Sequence, residues 1–413
     1  MRLELEDGRG ALISYCANVH PGEQLTDLWA ALDAAQLVRT SLGLDRLGLG
    51  LWIARAALVE LGAAPGGAAT FLAEELAWRG LEVVTVNGFP YGNFHADVVK
   101  RGVYHPDWTT EERHAHTLAL AEILAAVLPA DRDAGTISTV PIAHKGEIAG
   151  DPADHEARAC DALCALAADL ARLRDRTGKQ IRVCLEPEPG CTVETTADAV
   201  RLWTDSLPVA AERTGTSQAA VREHLGICFD TCHLAVVFEE PADSLASLAA
   251  AGVPVGKMQL SSALAIAAPA SVAGRAALLR FAEPRFLHQV RTLDDHGELL
   301  GADDIDPDLS VLDALPGDRP WRVHYHVPIH RDAVGEVGTT REFLRGALGW
   351  LVESGGPLPD LEVETYTWNV LPGDERPADL SDLVAGIAAE LRWVRRELVG
   401  APGSASASAS WRR

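Results

Sequence analysis

Short apolar, β-branched runs alternate along the chain with longer Ala/Leu/Arg/Glu stretches of helical period. The strand candidates are LISYCANVH (12–20), LGLGLWIA (47–54), LEVVTVNGF (81–89), TISTVPIAH (136–144), IRVCLEPEPG (181–190), LGICFDTCH (225–233), VGKMQLSSA (255–263), WRVHYHVPIH (321–330) and LEVETYTW (361–368). Helical stretches such as GAATFLAEELAWRG and ADHEARACDALCALAADLARLRDRTG separate most of them. Repeated strand–helix units predict parallel strands joined by right-handed crossovers. About eight such units favour a closed (β/α)8 barrel, the TIM-barrel architecture, over an open doubly wound sheet. No G-x-G-x-x-G follows the first strand, which weakens the open alternative further.

One region departs from this rhythm. From FAEPRFLHQVRTLDDHGELLGADDI to DALPGDRP, two short runs flank DDHG and an acidic loop follows, which predicts an irregular hairpin. With WRVHYHVPIH it forms an insertion at about 281–330, between the seventh and eighth barrel strands, and leaves LEVETYTW as the last strand. A single barrel domain then spans 1–400. The small, repetitive tail GAPGSASASASWRR reads as disordered over 401–413.

Charge and cysteine usage narrow the class. The 413 residues include 36 Lys+Arg against 59 Asp+Glu, a formal charge of −23, with no local basic patch. Nucleic acid and anionic membrane surfaces are therefore poor partners. No apolar run approaches a membrane span, and the start MRLELEDGRG has no apolar signal region. Seven cysteines, an odd number in a chain too long to need disulfide staples, point to a reducing, cytoplasmic setting.

The polar residues fall where the barrel strands end. Asn18 and His20 end the first, Asn87 to His95 the third, His144 the fourth, Glu186 and Glu188 the fifth, and Asp230 and His233 the sixth. The seventh carries Gln259, the inserted segment His324, His326 and His330, and the eighth Glu362 and Glu364. Barrel chemistry sits at these ends, because the loops that follow vary without disturbing the core. Alternation puts Cys184, Glu186 and Glu188 on one face, and likewise Cys228, Asp230 and Cys232, and Glu362 and Glu364. If Glu186, Asp230 and Glu364 face inward, three carboxylates meet in a confined space and cannot all stay ionised uncompensated. One divalent cation is the simplest remedy, with oxygen and imidazole ligands suited to Mn, Zn, Co, Fe or Mg. Any one of these residues alone is more often a solvated loop residue, a helix cap or a structural histidine; their convergence carries the reading. Cys184, Cys228 and Cys232 read as small buried fillers, and Cys160 and Cys164 as helical core. Cys228, Cys232 and His233 lack a second Cys/His pair at zinc-finger spacing.

LEPEPG, FDTCH and LEVET resemble the metal-binding strands of xylose isomerase-like (AP endonuclease family 2) TIM barrels, which include sugar epimerases and isomerases. In the ketose 3-epimerase branch a Glu, an Asp, a His and a second Glu hold one divalent metal. The two glutamates are also the acid/base pair, and a His three residues after the Asp touches substrate. The resemblance implies Glu186 and Glu364 as catalytic glutamates and metal ligands, Asp230 as the metal aspartate and His233 as the substrate histidine. KMQLSSA departs from the pattern, offering Gln259 where a metal His is expected; either Gln259 binds as a neutral oxygen ligand or His326 replaces it. SYCANVHPGE, TVNGFPYGNFH, VYHPDW, FDTCHLAV, VHYHVPIH and LEVETYTWNVLP together, in order, resemble the metabolite traffic protein EboE family. That xylose isomerase-like group is associated with operons carrying a UbiA-type prenyltransferase. It implies secondary-metabolite precursor processing or traffic, with a functional link to the prenyltransferase, and fixes no reaction.

The leading expectation is a metal-dependent isomerase or epimerase acting on a small polyhydroxylated carbonyl compound such as a sugar or cyclitol. One of Glu186 and Glu364 takes a proton from carbon and the other returns one on the opposite face. His233, with His20, His95 and His144 and the rim residues Asn87, Glu188 and His324, binds substrate. Phe89, Tyr91, Phe94, Tyr366 and Trp368 wall the pocket. Two other classes stay open: a non-catalytic metabolite-binding or carrier protein, and a metal-dependent hydrolase of the endonuclease IV-like type, against which the acidic balance argues.

Overall fold

The structure, a computed structural model, describes residues 1–63, 67–306 and 309–400. The tail expected to be disordered, 401–413, lies outside the described residues. Eight parallel strands close a barrel: β1 (Gly10–Cys16), β2 (Leu47–Leu51), β3 (Leu81–Asn87), β4 (Ala134–Thr139), β5 (Gln180–Leu185), β6 (Leu225–Asp230), β7 (Val255–Leu260) and β8 (Asp360–Val363). Each pairs with the next, and β8 pairs with β1 through Val363 and Tyr15, which completes the ring. These are the eight strands expected from the apolar runs. Each run outlasts its strand at the C-terminal side, where most of the polar residues leave the ladder to form the barrel's rim, while Asn87, Asp230 and Gln259 stay within it.

Helices cover the outside, and their ends follow from local chemistry. The helix Pro152–Thr177 starts where the Asp151 side chain accepts from the Ala153 amide, with proline in its first turn. It stops at Gly178, whose φ of +72° suits glycine. All seven cysteines are unpaired and buried. No described helix is long and apolar enough to cross a membrane.

Between β7 and β8 the chain builds a second, antiparallel sheet from short strands at Leu264–Ile266, Val290–Leu293, Leu299–Ala302, Trp321–Val323, Ala333–Val334 and Val337–Thr339. The hairpin around DDHG joins Val290–Leu293 to Leu299–Ala302, and Asp294 Oδ1 accepts from the His296 and Glu298 amides at its tip. WRVHYHVPIH, expected as a strand over 321–330, is extended in the sheet only at Trp321–Val323. Beyond it the Val327 amide turns to the Ser262 carbonyl, and Pro328 has no amide to give. The segment therefore crosses the barrel mouth, carrying His324 and His326.

Inside the barrel the side chains are polar in layers, set by the two-residue alternation. At the N-terminal end the Thr136 hydroxyl lies 2.9 Å from Asp360 Oδ2 and 3.0 Å from Thr85 Oγ1. One layer up, Lys257 Nζ sits 2.6 Å from Glu362 Oε2, both fully buried, and 3.2 Å from Ser138 Oγ. Burial opposes the Lys257 charge, but Glu362, together with Cys228, Cys16 and Glu186, outweighs it and holds the ammonium above the ordinary lysine range. Gly50 on β2 leaves the room this pair needs, because a Cβ there would stand 1.1 Å from Glu362 Oε1. Two residues further along, Glu186 and Glu364 reach the mouth, with Asp230 and Gln259 fully buried in the same layer.

Candidate active site

At the mouth lies a cavity enclosing about 500 Å³ of space, part of it open to solvent. One half of its floor is carboxylate: Glu186 and Glu364 line it, and Asp230, fully buried, lies outside the lining within reach of both. Glu186 follows β5, its amide donating to the Thr139 carbonyl. Asp230 ends β6 and caps the helix Thr231–Val236; its Oδ1 accepts from the amides of Cys232 (2.7 Å) and His233 (2.9 Å) and from the Ser261 hydroxyl (2.7 Å). Glu364 follows β8, and its Oε1 accepts from Asn18 Nδ2 and Asn87 Nδ2, each at 2.8 Å. One oxygen from each of Glu186, Asp230 and Glu364 lies within 4.8 Å of the others. Glu186 Oε2 and Asp230 Oδ2 are buried with no hydrogen-bond partner.

The protonation of these groups follows from their surroundings. Burial, then the charges of Glu364 and Asp230, push the Glu186 carboxyl well above the usual range. Burial, then Asp230 and Glu362, do the same to Glu364. For Asp230 burial acts in that direction too, but His233, His326 and the donors at its Oδ1 outweigh it, and the net shift is downward. Glu186 and Glu364 thus hold on to protons unless positive charge is brought in.

The other half of the floor is imidazole. His233 Nδ1 lies 2.9 Å from the Pro187 carbonyl, His326 Nδ1 3.0 Å from the Glu364 carbonyl, and His324 Nδ1 2.6 Å from Gln289 Oε1. The Gln289 amide is oriented by its nitrogen, which donates to the Pro189 carbonyl. Carbonyl oxygens only accept, so each Nδ1 is assigned the proton and each Nε2 a lone pair. Those lone pairs converge: His233 Nε2 is 3.0 Å from His324 Nε2 and 3.3 Å from His326 Nε2. A shared proton is a poor remedy near neutrality. Burial, reinforced by the neighbouring rings, holds His324 well below the ordinary histidine range, and burial lowers His326 to about 4.

A divalent cation meets the needs of both halves. It takes nitrogen lone pairs and carboxylate oxygens together, and histidines whose other nitrogen donates to a carbonyl are oriented as metal ligands usually are. Asp230 belongs to both halves, grouping within 4.8 Å with Glu186 and Glu364 and also with His233 and His326. Glu188, His233 and His324 form a further such group. The donor set therefore fits the ion.

The structure brings together most of the residues singled out in the sequence, but not all. Asn87, Glu186, Glu188, His233, His324, His326, Glu364 and Tyr366 line the cavity, as do Phe89 and Phe94. Gln259 stands beside Asp230 and Glu362 in the ladder, fully buried, with neither amide atom hydrogen-bonded. It is not part of the cavity lining. His20 packs against Tyr15, its ring 3.3 Å from the hydroxyl; His95 Nε2 binds the Asn18 carbonyl; His144 Nδ1 accepts from the Gly146 amide. These three, with Tyr91 and Trp368, lie outside the lining. Tyr104 and Gln289, which hold Glu188 and His324, come from a short helical turn and from the irregular insertion, where no periodic pattern marks them. Asn18 is visible in the sequence only as a strand-end polar residue.

Glu390, on the helix Leu380–Val399, supports the site from behind. It accepts from the Ile329 amide (3.1 Å), the Thr365 hydroxyl (2.6 Å) and Trp368 Nε1 (3.2 Å), joining the His326 loop to the segment after Glu364. Burial raises its carboxyl to about 7. A carboxyl raised on folding stabilises below its unfolded value near 4.5, and that contribution is lost as pH rises through about 7. The shift corresponds to about 3 kcal/mol. Wild type should therefore lose thermal stability relative to Glu390→Gln between pH 5 and pH 8. Parallel melting-temperature curves for the two proteins would contradict this.

No family model matches the chain, and no curated protein sequence matches it. Among solved structures it is similar to the IolI protein with a binding zinc atom (TM-score 0.49, 10% identity, covering 94% of this chain and 100% of that one). It is also similar to an L-ribulose 3-epimerase (TM-score 0.44, 14% identity, 96% and 100%). A third is the 3-keto-D-glucoside 4-epimerase YcjR from E. coli in its apo form (TM-score 0.43, 13% identity, 93% and 99%).

Proposed function

We propose that this chain is a divalent-metal-dependent isomerase or epimerase of a small hydroxycarbonyl metabolite of the sugar or cyclitol kind, acting by proton transfer at a carbon beside a carbonyl. The observation that carries the reading is the convergence of Glu186 and Glu364, two buried carboxyls of raised proton affinity, on Asp230. Glu186, Asp230, His326 and Glu364, with Gln259 as a further candidate, would hold the ion, and His233 and His324 lie close to this set. When bound, the ion polarises the substrate carbonyl and lowers the cost of charge developing on its oxygen. One of Glu186 and Glu364 removes the proton from carbon, and the other supplies one to the opposite face. Asn18 and Asn87 fix Glu364 Oε1, which leaves Oε2 as the oxygen free to turn toward the ion or the substrate. Glu188, held by the Tyr104 hydroxyl at 2.7 Å, orients a substrate hydroxyl.

The likeness of six sequence segments to EboE-type proteins supports a role in secondary-metabolite precursor processing or traffic, in the cytoplasm, linked to a UbiA-type prenyltransferase. The barrel and its inserted sheet act as one domain over 1–400. Metal-assisted hydrolysis is a second reading, favoured by the three converging imidazoles; the charge of −23 then points to a small ester rather than nucleic acid. One experiment separates the two. Ketoses, cyclitol ketones and simple α-hydroxyketones are incubated with the chain and Mn²⁺ or Zn²⁺ in D2O and followed by NMR. Isomer carrying deuterium at the carbon beside the carbonyl supports the first reading. Cleavage of ester probes without any such isomer would replace it with the second.

A further inference from the structure

The cavity has two chemically different walls. Carboxylates, imidazoles and the Asn18 and Asn87 amides make one side. The other belongs to an apolar cluster separate from the barrel core, in which Phe94, Val99 and Phe286 pack with Val103 and Tyr366. The Phe94, Phe286 and Tyr366 rings contact one another with centroids 4.9–5.3 Å apart. Polar ties hold this wall in place. The amides of Val99 and Lys100 both donate to the Arg285 carbonyl at 2.8 Å, and Lys100 Nζ binds the Glu283 and Phe286 carbonyls at 3.2 and 2.7 Å. The loop after β3 is thereby pinned to the insertion.

Lys100 is the one Lys or Arg among the cavity-lining residues, and its ammonium is also paired with Asp304 Oδ2 at 2.7 Å. Among the described lining residues no unpaired cation remains for a phosphate group. A fully hydroxylated substrate would press hydroxyls against the Phe94, Val99 and Phe286 side chains, which neither accept nor donate, and each unpaired hydroxyl is penalised. We propose that the substrate is amphipathic and unphosphorylated: a hydroxycarbonyl head seated among the carboxylates and imidazoles, bearing an apolar ring or short chain that lies against Phe94 and Phe286. This rests on the proposed function for the head group and adds the identity of the rest of the molecule.

The test compares three probes by calorimetry on the full chain with Mn²⁺: 1-hydroxy-3-phenylpropan-2-one, hydroxyacetone and D-fructose. Burial of the phenyl ring should make the first bind about tenfold or more tighter than either of the others. Phe286→Ala should remove most of that gain, bringing the affinity of the phenyl compound close to that of hydroxyacetone measured on the same variant. Should Phe286→Ala fail to fold, the three-probe ranking on wild type decides alone. Equal or tighter binding of D-fructose, or no binding of the phenyl compound, would overturn the proposal. Tight phenyl-compound binding without proton exchange at its carbon would keep this inference and count against the isomerase reading. Exchange on D-fructose with no preference for the phenyl compound would do the reverse.

Discussion

Glu186→Gln and Glu364→Gln are each expected to lower the rate of isomer interconversion by about 10²–10⁴-fold, the range for loss of a positioned general acid or base. The amide is close in shape to the carboxyl but neither takes a proton from carbon nor returns one. The double variant should be little worse than the poorer single variant, because two groups that act on one proton-transfer sequence fail together. Glu364→Gln disturbs its surroundings more, since Oε1 already accepts from Asn18 and Asn87 and only Oε2 has room for the new NH2 group. Rates for both variants, measured with the bound ion quantified in the same samples, test this. Turnover within tenfold of wild type in both would remove the acid/base assignment.

The second large effect concerns stability. Lys257→Met should lower the unfolding free energy by about 3–5 kcal/mol, because it leaves Glu362 buried and uncompensated inside the barrel. The melting temperature should fall on the order of 5–10 °C. Replacing both partners, Lys257→Met with Glu362→Leu, should recover most of the loss, since an apolar pair of similar volume carries no desolvation penalty. Gly50→Ala should be as damaging as Lys257→Met, because its methyl group would occupy the position of Glu362 Oε1. Thermal unfolding of the four proteins checks the set. A double variant no better than Lys257→Met alone would show that packing, not charge compensation, dominates that layer.

The barrel was legible because fully buried parallel strands read as short apolar runs bounded by polar residues, and eight of them recur. Alternation gave each of Glu186, Asp230 and Glu364 a face shared with its strand neighbours two residues away, without saying which face is inward, and the structure brings the three together. The insertion was less legible. Its strands are two to four residues long and pair across long stretches of chain, as Leu264–Ile266 does with Trp321–Val323, so no local period marks them. The histidines show the same limit. His20, His95 and His144 follow barrel strands just as His233 does, but each turns to a neighbouring hydroxyl, carbonyl or amide outside the cavity. The lone-pair alignment of His233, His324 and His326 depends on the Pro187 and Glu364 carbonyls and the Gln289 side chain, partners that only the folded chain supplies.

The central claim is a divalent ion held where the carboxylate and imidazole halves meet. Asp230→Asn tests it most directly, because Asp230 belongs to both halves and the amide oxygen preserves the helix cap while the charge is lost. Elemental analysis of the full chain, purified without added metal and again after soaking with Mn²⁺ or Zn²⁺, should find about one divalent ion per wild-type chain. Asp230→Asn should retain little or none. Wild-type protein that binds no ion under either condition, or Asp230→Asn protein that binds as much as wild type, would contradict the account.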